Sequence, residues 1–185
     1  MLKKLYYFIK QLIMYPADTW KRVEAGGFCN NIHKDFVFPM VLAGTAAAAF
    51  GSFFTQEITV QNVVRTVVLV FLSYCGGFYA AVYLVKNYIA RRFDNEASWN
   101  TVMHFTAYAS TAVFTVNILM GVLPLEEMFF IRAFDIYTLF IVAQGAFILK
   151  ISEKQQVEFV LITSSLIVFC PAIIKYVIHF LMPNL

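Results

Sequence analysis

Five long apolar stretches restrict the fold of this chain more than any other feature. They cover residues 36–54, 63–85, 101–123, 128–149 and 157–182. A helix needs roughly 20 mostly apolar residues to cross the roughly 30 Å hydrocarbon core of a bilayer, and each stretch has about that length. Only 14% of the residues are charged, whereas soluble domains average about 25%. The sequence therefore predicts an all-α protein, an integral membrane bundle of five transmembrane helices.

The apolar stretches also predict the domain organisation. Residues 1–35 precede them and are expected to form a cytoplasmic, interfacial segment. Residues 36–185 are expected to form a single transmembrane domain, because the loops between the stretches are too short to hold another domain. Short connections of this kind favour antiparallel packing of consecutive helices.

Lysine and arginine are distributed unevenly between the loops, which predicts the orientation in the membrane. Basic residues precede the first apolar stretch and occupy the second and fourth loops: Lys3, Lys4, Lys10, Lys21, Arg22, Lys34, Lys86, Arg91, Arg92, Lys150 and Lys154. The first and third loops carry only acidic charges: Glu57, Glu126 and Glu127. Because cytoplasmic loops are enriched in basic residues, we expect a cytoplasmic amino terminus and a carboxyl terminus outside.

The amino-terminal segment is amphipathic rather than uniformly apolar. Apolar residues recur at helical spacing: Leu2, Leu5, Tyr6, Ile9, Leu12 and Ile13. Residues suited to a membrane surface accompany them: Lys3, Lys4, Lys10, Trp20, Lys21 and Arg22. Such a helix typically lies in the bilayer interface with its lysines toward anionic lipid. We therefore expect a membrane-surface or partner-docking element, and the alternative is a helix that packs beneath the bundle.

Small residues and one proline predict how the spans pack. Small side chains recur at four-residue spacing on the first two spans: Ala47 and Gly51, then Ser73, Gly77 and Ala81. In lipid, such faces let helix backbones approach closely, within one chain or between copies. Pro171 lies near the middle of the fifth stretch and predicts a kink there, which serves either as a hinge or as a static shape.

Ionisable residues inside membrane spans are costly and therefore mark candidate functional sites. They concentrate toward the outer half of the predicted bundle: Arg65, Arg132, Asp135, Lys175 and His179. Arg132 and Asp135 share one helix face, as do Lys175 and His179. We expect a cluster with excess positive charge, suited to an anionic solute, a lipid phosphate or proton coupling. The alternative is an internal ion pair that locks helix four to helix five, with Lys175 extending to the interface.

A second polar group lies on the third stretch, toward the cytoplasmic side: His104, Tyr108 and Asn117. His104 and Tyr108 are four residues apart and share a helix face. We expect these side chains to line a polar interior. The alternative for the histidine is a hydrogen-bonded structural role.

Several functional classes are excluded by what the sequence lacks. It contains no Gly-rich phosphate loop, no HExxH pair and no nucleophile elbow, so we expect no enzyme, no catalytic residues and no cofactor. Its three cysteines are scattered, which predicts neither a disulfide framework nor a metal site. A net charge of +3 is too small to argue for nucleic-acid binding.

Two segments carry a family resemblance. They read NYIARRFDNEASWNTVMHFTAYASTA over residues 87–112 and FDIYTLFIVAQGAFILKISEKQQ over residues 134–156, preceded by YPADTW at 15–20. In order and spacing they resemble the bacterial branch of the Yip-domain membrane proteins, whose eukaryotic relatives interact with Rab GTPases. The resemblance implies a multi-pass protein of the bacterial inner (cytoplasmic) membrane, with five spans and a cytoplasmic amino terminus.

The chain also departs from that family pattern. Asp94 and Asn95 stand where glycines are common, Ala112 stands where proline is usual, and Phe140 replaces a tryptophan. The DLYGP sequence of eukaryotic members is absent. Binding of a Rab-type GTPase is therefore not carried over to this chain.

Two functional hypotheses follow from these patterns. The preferred one is a non-enzymatic, Yip-like integral membrane protein that organises membrane lipid or partner proteins, with the bilayer, membrane proteins or a second copy of itself as partners. The alternative is a transporter or channel for an ion or a small, anionic solute that uses the outer-half polar cluster. Five spans without a clean inverted repeat disfavour a monomeric transporter.

Overall fold

The computed structural model describes residues 2–26, 31–55, 59–93, 96–122 and 129–181. These residues form helices and no strand: α1 Leu2–Met14, α2 Pro16–Glu24, α3 Phe38–Thr55, α4 Val60–Phe93, α5 Trp99–Ala109, α6 Thr111–Val122, α7 Phe129–Arg132, α8 Tyr137–Gly145 and α9 Glu153–Leu181. A π-helical turn, His33–Val37, leads into α3, and 3-10 turns, Ala133–Ile136 and Ala146–Leu149, flank α8. The predicted all-α class is confirmed. The acidic loop residues Glu57, Glu126 and Glu127 lie outside the described residues.

Four helical segments of the described chain are long and apolar enough to cross a membrane by themselves. They are His33–Phe54, Val60–Phe93, Phe130–Leu149 and Glu153–Leu181. The third predicted span is divided into α5 and α6, which meet at an angle of 43° and complete a fifth crossing if the pair counts as one span. Hydroxyl groups at the break bond to backbone carbonyls, Ser110 to Thr106 at 2.7 Å and Thr111 to Tyr108 at 2.6 Å. Such bonds compete with the backbone pattern and bend helices.

Helix α4 is longer than the apolar stretch predicts. Its 34 residues extend about 51 Å, well beyond a hydrocarbon core of about 30 Å. The predicted loop arginines Arg91 and Arg92 therefore lie in its last turn. There the Nε and Nη2 groups of Arg92 donate to the Glu158 carboxylate of α9, at 2.8 and 3.2 Å.

Trp20 was expected at the membrane surface, and the structure shows that this expectation is wrong. Its side chain is fully buried, and its indole N–H donates to the carbonyl oxygen of Ile141 at 2.9 Å. Its ring stacks on Phe105 with the centroids 5.3 Å apart. Gly145 makes room for it, because a Cβ there would lie 2.6 Å from the indole ring. The indole therefore serves as a core side chain.

Helix α1 also packs against the bundle instead of standing apart from it. Leu5, Phe8 and Leu12 of its apolar face are buried, and the Tyr137 hydroxyl donates to the carbonyl of Ile13 at 2.6 Å. The basic side chains remain exposed: Lys3, Lys4, Lys10, Lys21 and Arg22. The packing against the bundle that one interpretation predicts is observed, and the membrane-surface role of the exposed basic residues stays a prediction.

The predicted small-residue faces mediate close helix crossings within the chain. A Cβ at Gly77 would collide with the Pro171 backbone of α9, whose nitrogen would lie 2.7 Å away. A Cβ at Gly51 would collide with the carbonyl oxygen of Gly121 on α6. The close approach predicted for these faces is confirmed. Because the contacts lie inside one molecule, neither glycine is free to mediate contact between copies.

The core lies at one end of the bundle. Its largest buried aromatic side chains, here called the aromatic core, come from α2, α5, α9 and the turn before α3: Trp20, Phe36, Phe105, Tyr108 and Phe159. At the other end, beyond Pro171, the apolar side chains of α9 are largely exposed, as at Ile173, Tyr176 and Phe180. One half of the molecule is therefore densely packed, and the other half is more open.

Candidate functional site

A cavity of about 690 Å³ opens in the less densely packed half. Residues of α3, α4, α6, α7, α8, α9 and the 3-10 turn before α8 line it, and most of the lining is apolar. Its principal polar side chains are Tyr74, Asn117, Arg132, Asp135, Ser164 and Lys175. A volume of this size lies within the range of small-molecule sites, about 300–1,000 Å³.

Three of the five residues predicted for the outer-half cluster meet at this cavity: Arg132, Asp135 and Lys175. Arg132 ends α7 and Asp135 lies in the following 3-10 turn, where side chains three residues apart align. Lys175 lies one helical turn after Pro171 on α9. Arg65 and His179 are not among the described residues that line the cavity.

The predicted ion pair between helices four and five is not formed. Within the described chain, no ion pair of 4.0 Å or less joins Asp135 to Arg132 or Lys175. The Asp135 Oδ1 atom is buried and has no hydrogen-bond partner in the part of the chain that the structure describes. Arg132 and Lys175 are exposed at the rim, whereas Asp135 is half-buried. Their charges therefore face the cavity instead of neutralising one another in direct contact.

A second unpartnered polar atom lies deeper in the cavity. Ser164 lines the cavity and is only 3% exposed, and its hydroxyl has no hydrogen-bond partner among the described residues. Ser164 precedes Lys175 by three helical turns, about 16 Å along α9. Buried polar atoms of folded proteins are nearly always hydrogen-bonded. Among the described residues, two of the buried unpartnered side-chain atoms belong to residues that line the cavity, Asp135 and Ser164, and the Asp135 atom is the one placed near the cations at the rim.

The walls between these polar atoms are hydrophobic. Leu139, Leu161, Val168 and Phe169 contribute apolar surface to the same cavity. From Leu161 to Lys175 the lining extends about 21 Å along α9. An apolar slot with two cations at its rim has the chemistry of a site for an amphiphile.

The three inner-side polar residues do not share one interior, which corrects the expectation for them. Tyr108 lies in the aromatic core, with its ring centroid 5.2 Å from that of Phe36. His104 pairs its Nδ1 with the carbonyl oxygen of Asn100 at 2.8 Å. Asn117 lies beyond the bend at Ser110 and lines the cavity. Asn117 follows Tyr108 by nine residues, roughly 13 Å of helix, and the bend between α5 and α6 lies between them.

Some polar contacts were not anticipated from the sequence. The Tyr79 hydroxyl bonds to His33 Nδ1 at 2.9 Å, and the Lys86 ammonium lies 5.3 Å from the centre of the Trp99 ring. Ser164 could have been found, because residues eleven apart share a helix face and Lys175 was already a candidate. Tyr74 carried no such signal, since a tyrosine in an apolar stretch is as compatible with lipid as with a cavity.

Metal-binding geometry is not found in the described part of the chain. No group of three or more His, Cys, Asp or Glu side chains there could hold a metal ion. The residues available at the cavity are instead two cations, one carboxylate, an amide and hydroxyl groups. These groups bind through charge and hydrogen bonds.

Comparison with known proteins identifies the family. No curated protein and no solved structure matches the chain. The family model of the Yip1 domain matches residues 10–181, which include every helix from α2 to α9. The match extends over α2 and the end of α1 as well as the spans, in agreement with their packing into one bundle. This multi-pass membrane protein therefore belongs to the Yip1-domain family.

Proposed function

We propose that this protein is a non-enzymatic Yip-domain protein of the bacterial inner membrane that organises membrane lipid by binding a phospholipid in its cavity. The observation that carries the proposal is that Arg132, Asp135 and Lys175 line one cavity with apolar walls. A phospholipid combines a charged phosphate with apolar chains, and the cavity combines cations with apolar walls. The acyl chains would lie against Leu161 and Val168.

The cations are well suited to a phosphate. Arginine and lysine form strong, charge-assisted hydrogen bonds with phosphate oxygens. Lys175 is six residues from the end of α9, about 9 Å along the helix axis. A lysine at this depth extends toward the headgroup layer, where phosphates lie.

The orientation that we propose assigns the cavity to the outer leaflet. Exposed basic residues of α1 and α2 lie at the aromatic-core end, together with Arg91 and Arg92 of α4. The positive-inside rule assigns that end to the cytoplasm. The cavity at the opposite end would then receive lipid from the outer leaflet.

Lipid retention by the purified protein tests this function. We expect Arg132→Gln and Lys175→Gln each to lower phospholipid retention about tenfold, the effect of one lost charge-assisted hydrogen bond. Native mass spectrometry of protein extracted from vesicles of mixed phospholipid gives the lipid-bound fraction. Lys154→Gln is the matched control, because it removes an exposed lysine from the other end of α9. Equal retention by all four proteins would contradict the proposal.

Transport of a small anionic solute is the alternative function. None of the five aromatic-core residues lines the cavity. Because the cavity is not lined by the densely packed half of the bundle, it favours binding of a solute over passage of the solute through the protein. Anion flux into reconstituted vesicles distinguishes the two functions. Flux that requires Arg132 would favour the transporter, and absence of flux together with lipid retention would favour lipid binding.

A further inference from the structure

Asp135 is the least expected member of the cavity. Its carboxylate lies in the same lining as Arg132 and Lys175, yet within the described chain it forms no ion pair with either. The Oδ1 atom is buried, and no described residue forms a hydrogen bond with it. An ionised carboxylate only accepts hydrogen bonds. Asp135 therefore offers an acceptor for which the described residues supply no donor.

A purely anionic headgroup would not use this acceptor. A phosphate that carries only hydroxyl substituents would place its charge near the Asp135 carboxylate, and like charges at short distance repel each other. A headgroup with an ammonium beside its phosphate carries a positive group for the Asp135 carboxylate and a negative group for Arg132 and Lys175. A primary ammonium carries three N–H donors, whereas the quaternary ammonium of choline carries none.

Resting on the proposed phospholipid-binding function, we propose that the cavity selects an aminophospholipid. Asp135 accepts hydrogen bonds from the primary ammonium of the headgroup, and Arg132 and Lys175 bind its phosphate. The unpartnered hydroxyl of Ser164 lies about 16 Å further along α9. It marks the inner end of the slot that receives the lipid chains.

Two common headgroups share this chemistry. Phosphatidylethanolamine supplies one ammonium and one phosphate, so that Arg132 and Lys175 share a single anionic group. Phosphatidylserine adds a carboxylate, so that its two anionic groups match Arg132 and Lys175. The primary ammonium beside a phosphate is the common element, and the experiment separates the two lipids.

The test measures retained lipid on the full-length protein in vesicles of phosphatidylcholine. Phosphatidylethanolamine, phosphatidylserine or phosphatidylglycerol is added at equal mole fraction, and retention is read by native mass spectrometry. We expect the ethanolamine and serine lipids to be retained about tenfold over phosphatidylcholine, as one charge-assisted hydrogen bond provides. A larger signal for serine than for ethanolamine identifies the charge-matched headgroup. Equal retention of ethanolamine and choline lipids would overturn the proposal.

Two variants separate the two parts of the site. Asp135→Asn keeps the shape but removes the charge, so it is expected to abolish the preference for ethanolamine over choline and to raise retention of phosphatidylglycerol. Arg132→Gln is expected to lower retention of every phospholipid while the ratio of ethanolamine to choline lipid persists. If Asp135→Asn keeps the wild-type preference while its melting temperature is unchanged, the carboxylate does not recognise the ammonium.

A lipid series makes the test independent of any variant. Phosphatidylethanolamine and its mono-, di- and trimethyl derivatives lose N–H donors one at a time and keep the same charge. We expect retention by the wild-type protein to fall most sharply at the last methylation, where no donor remains. A flat series overturns ammonium selection but leaves phospholipid binding in place. Failure to retain any phospholipid overturns the proposed function itself.

Discussion

At the scale of single residues, burial decides a role that hydropathy assigns differently. A tryptophan beside lysine and arginine near the first span is typical of a membrane interface, because its amphipathic ring suits the headgroup layer. In this protein Trp20 is fully buried, and Gly145 leaves the space for its ring. The bond to the Ile141 carbonyl satisfies the only polar group of the indole.

Replacing this tryptophan is expected to destabilise the whole bundle. Trp20→Ala removes a large core side chain, for which the typical loss in the free energy of unfolding is about 3–5 kcal/mol. Unfolding in detergent, followed by circular dichroism, measures the effect. Trp99→Ala is the control, because the Trp99 side chain is exposed and should tolerate truncation. Equal stability of the two variants would show that Trp20 is not part of the core.

At the scale of helices, single crossings determine how the spans fit together. Helix α4 meets α9 where Gly77 faces Pro171. Because the proline ring occupies the α9 side of this crossing, α4 can approach only where it has no side chain. Pro171 and the predicted small-residue face thus belong to one contact, which could not be recognised while each was considered on its own helix, and the kink at Pro171 stays a prediction.

A methyl group at this crossing is expected to force the helices apart. Gly77→Ala places a Cβ against the Pro171 backbone, and overpacking of this kind typically costs about 1–3 kcal/mol. Gly76→Ala is the matched control, since its Cβ would meet only the end of the Ile174 side chain at 3.2 Å. The melting temperature in detergent is the measurement. A lower value for the control than for Gly77→Ala would be inconsistent with this crossing.

At the scale of the whole molecule, the amino-terminal helices belong to the folded bundle. Their buried residues, including Phe8 and Leu12, complete the core around Tyr108. A segment that merely lay on the membrane would contribute little to stability. Here its removal would expose the aromatic core.

Deletion of residues 1–25 is therefore expected to lower stability rather than only to abolish surface binding. The loss of α1 and α2 uncovers apolar side chains of α5 and α8, so proteolysis and thermal unfolding should both accelerate. The control replaces Lys3, Lys4 and Lys10 together with glutamine, which removes exposed charges and leaves the core intact. A truncated protein as stable as this control would rule out a structural role for the segment.

Much of the fold was predictable, because the hydrocarbon core imposes a local requirement on each span. The apolar stretches anticipated the helices, although not the break at Ser110 or the full length of α4. Of the candidate site, Arg132, Asp135 and Lys175 were predictable since charges are conspicuous within apolar sequence. Asn117 was assigned to the cytoplasmic side and Ser164 was missed, because a polar residue can face lipid, a neighbour or a cavity.

The sequence by itself determined the class of the protein, the approximate spans and the candidate charges, since each depends on residues close together in the chain. Tertiary structure decided which faces meet. The Trp20 indole donates to a carbonyl 121 residues away in the sequence. Hydropathy could not predict this pairing, because it does not distinguish one apolar helix face from another. Tertiary structure also decided that Asp135 lines a cavity without an ion pair to any described residue, because pairing depends on distances between helices that no local pattern encodes.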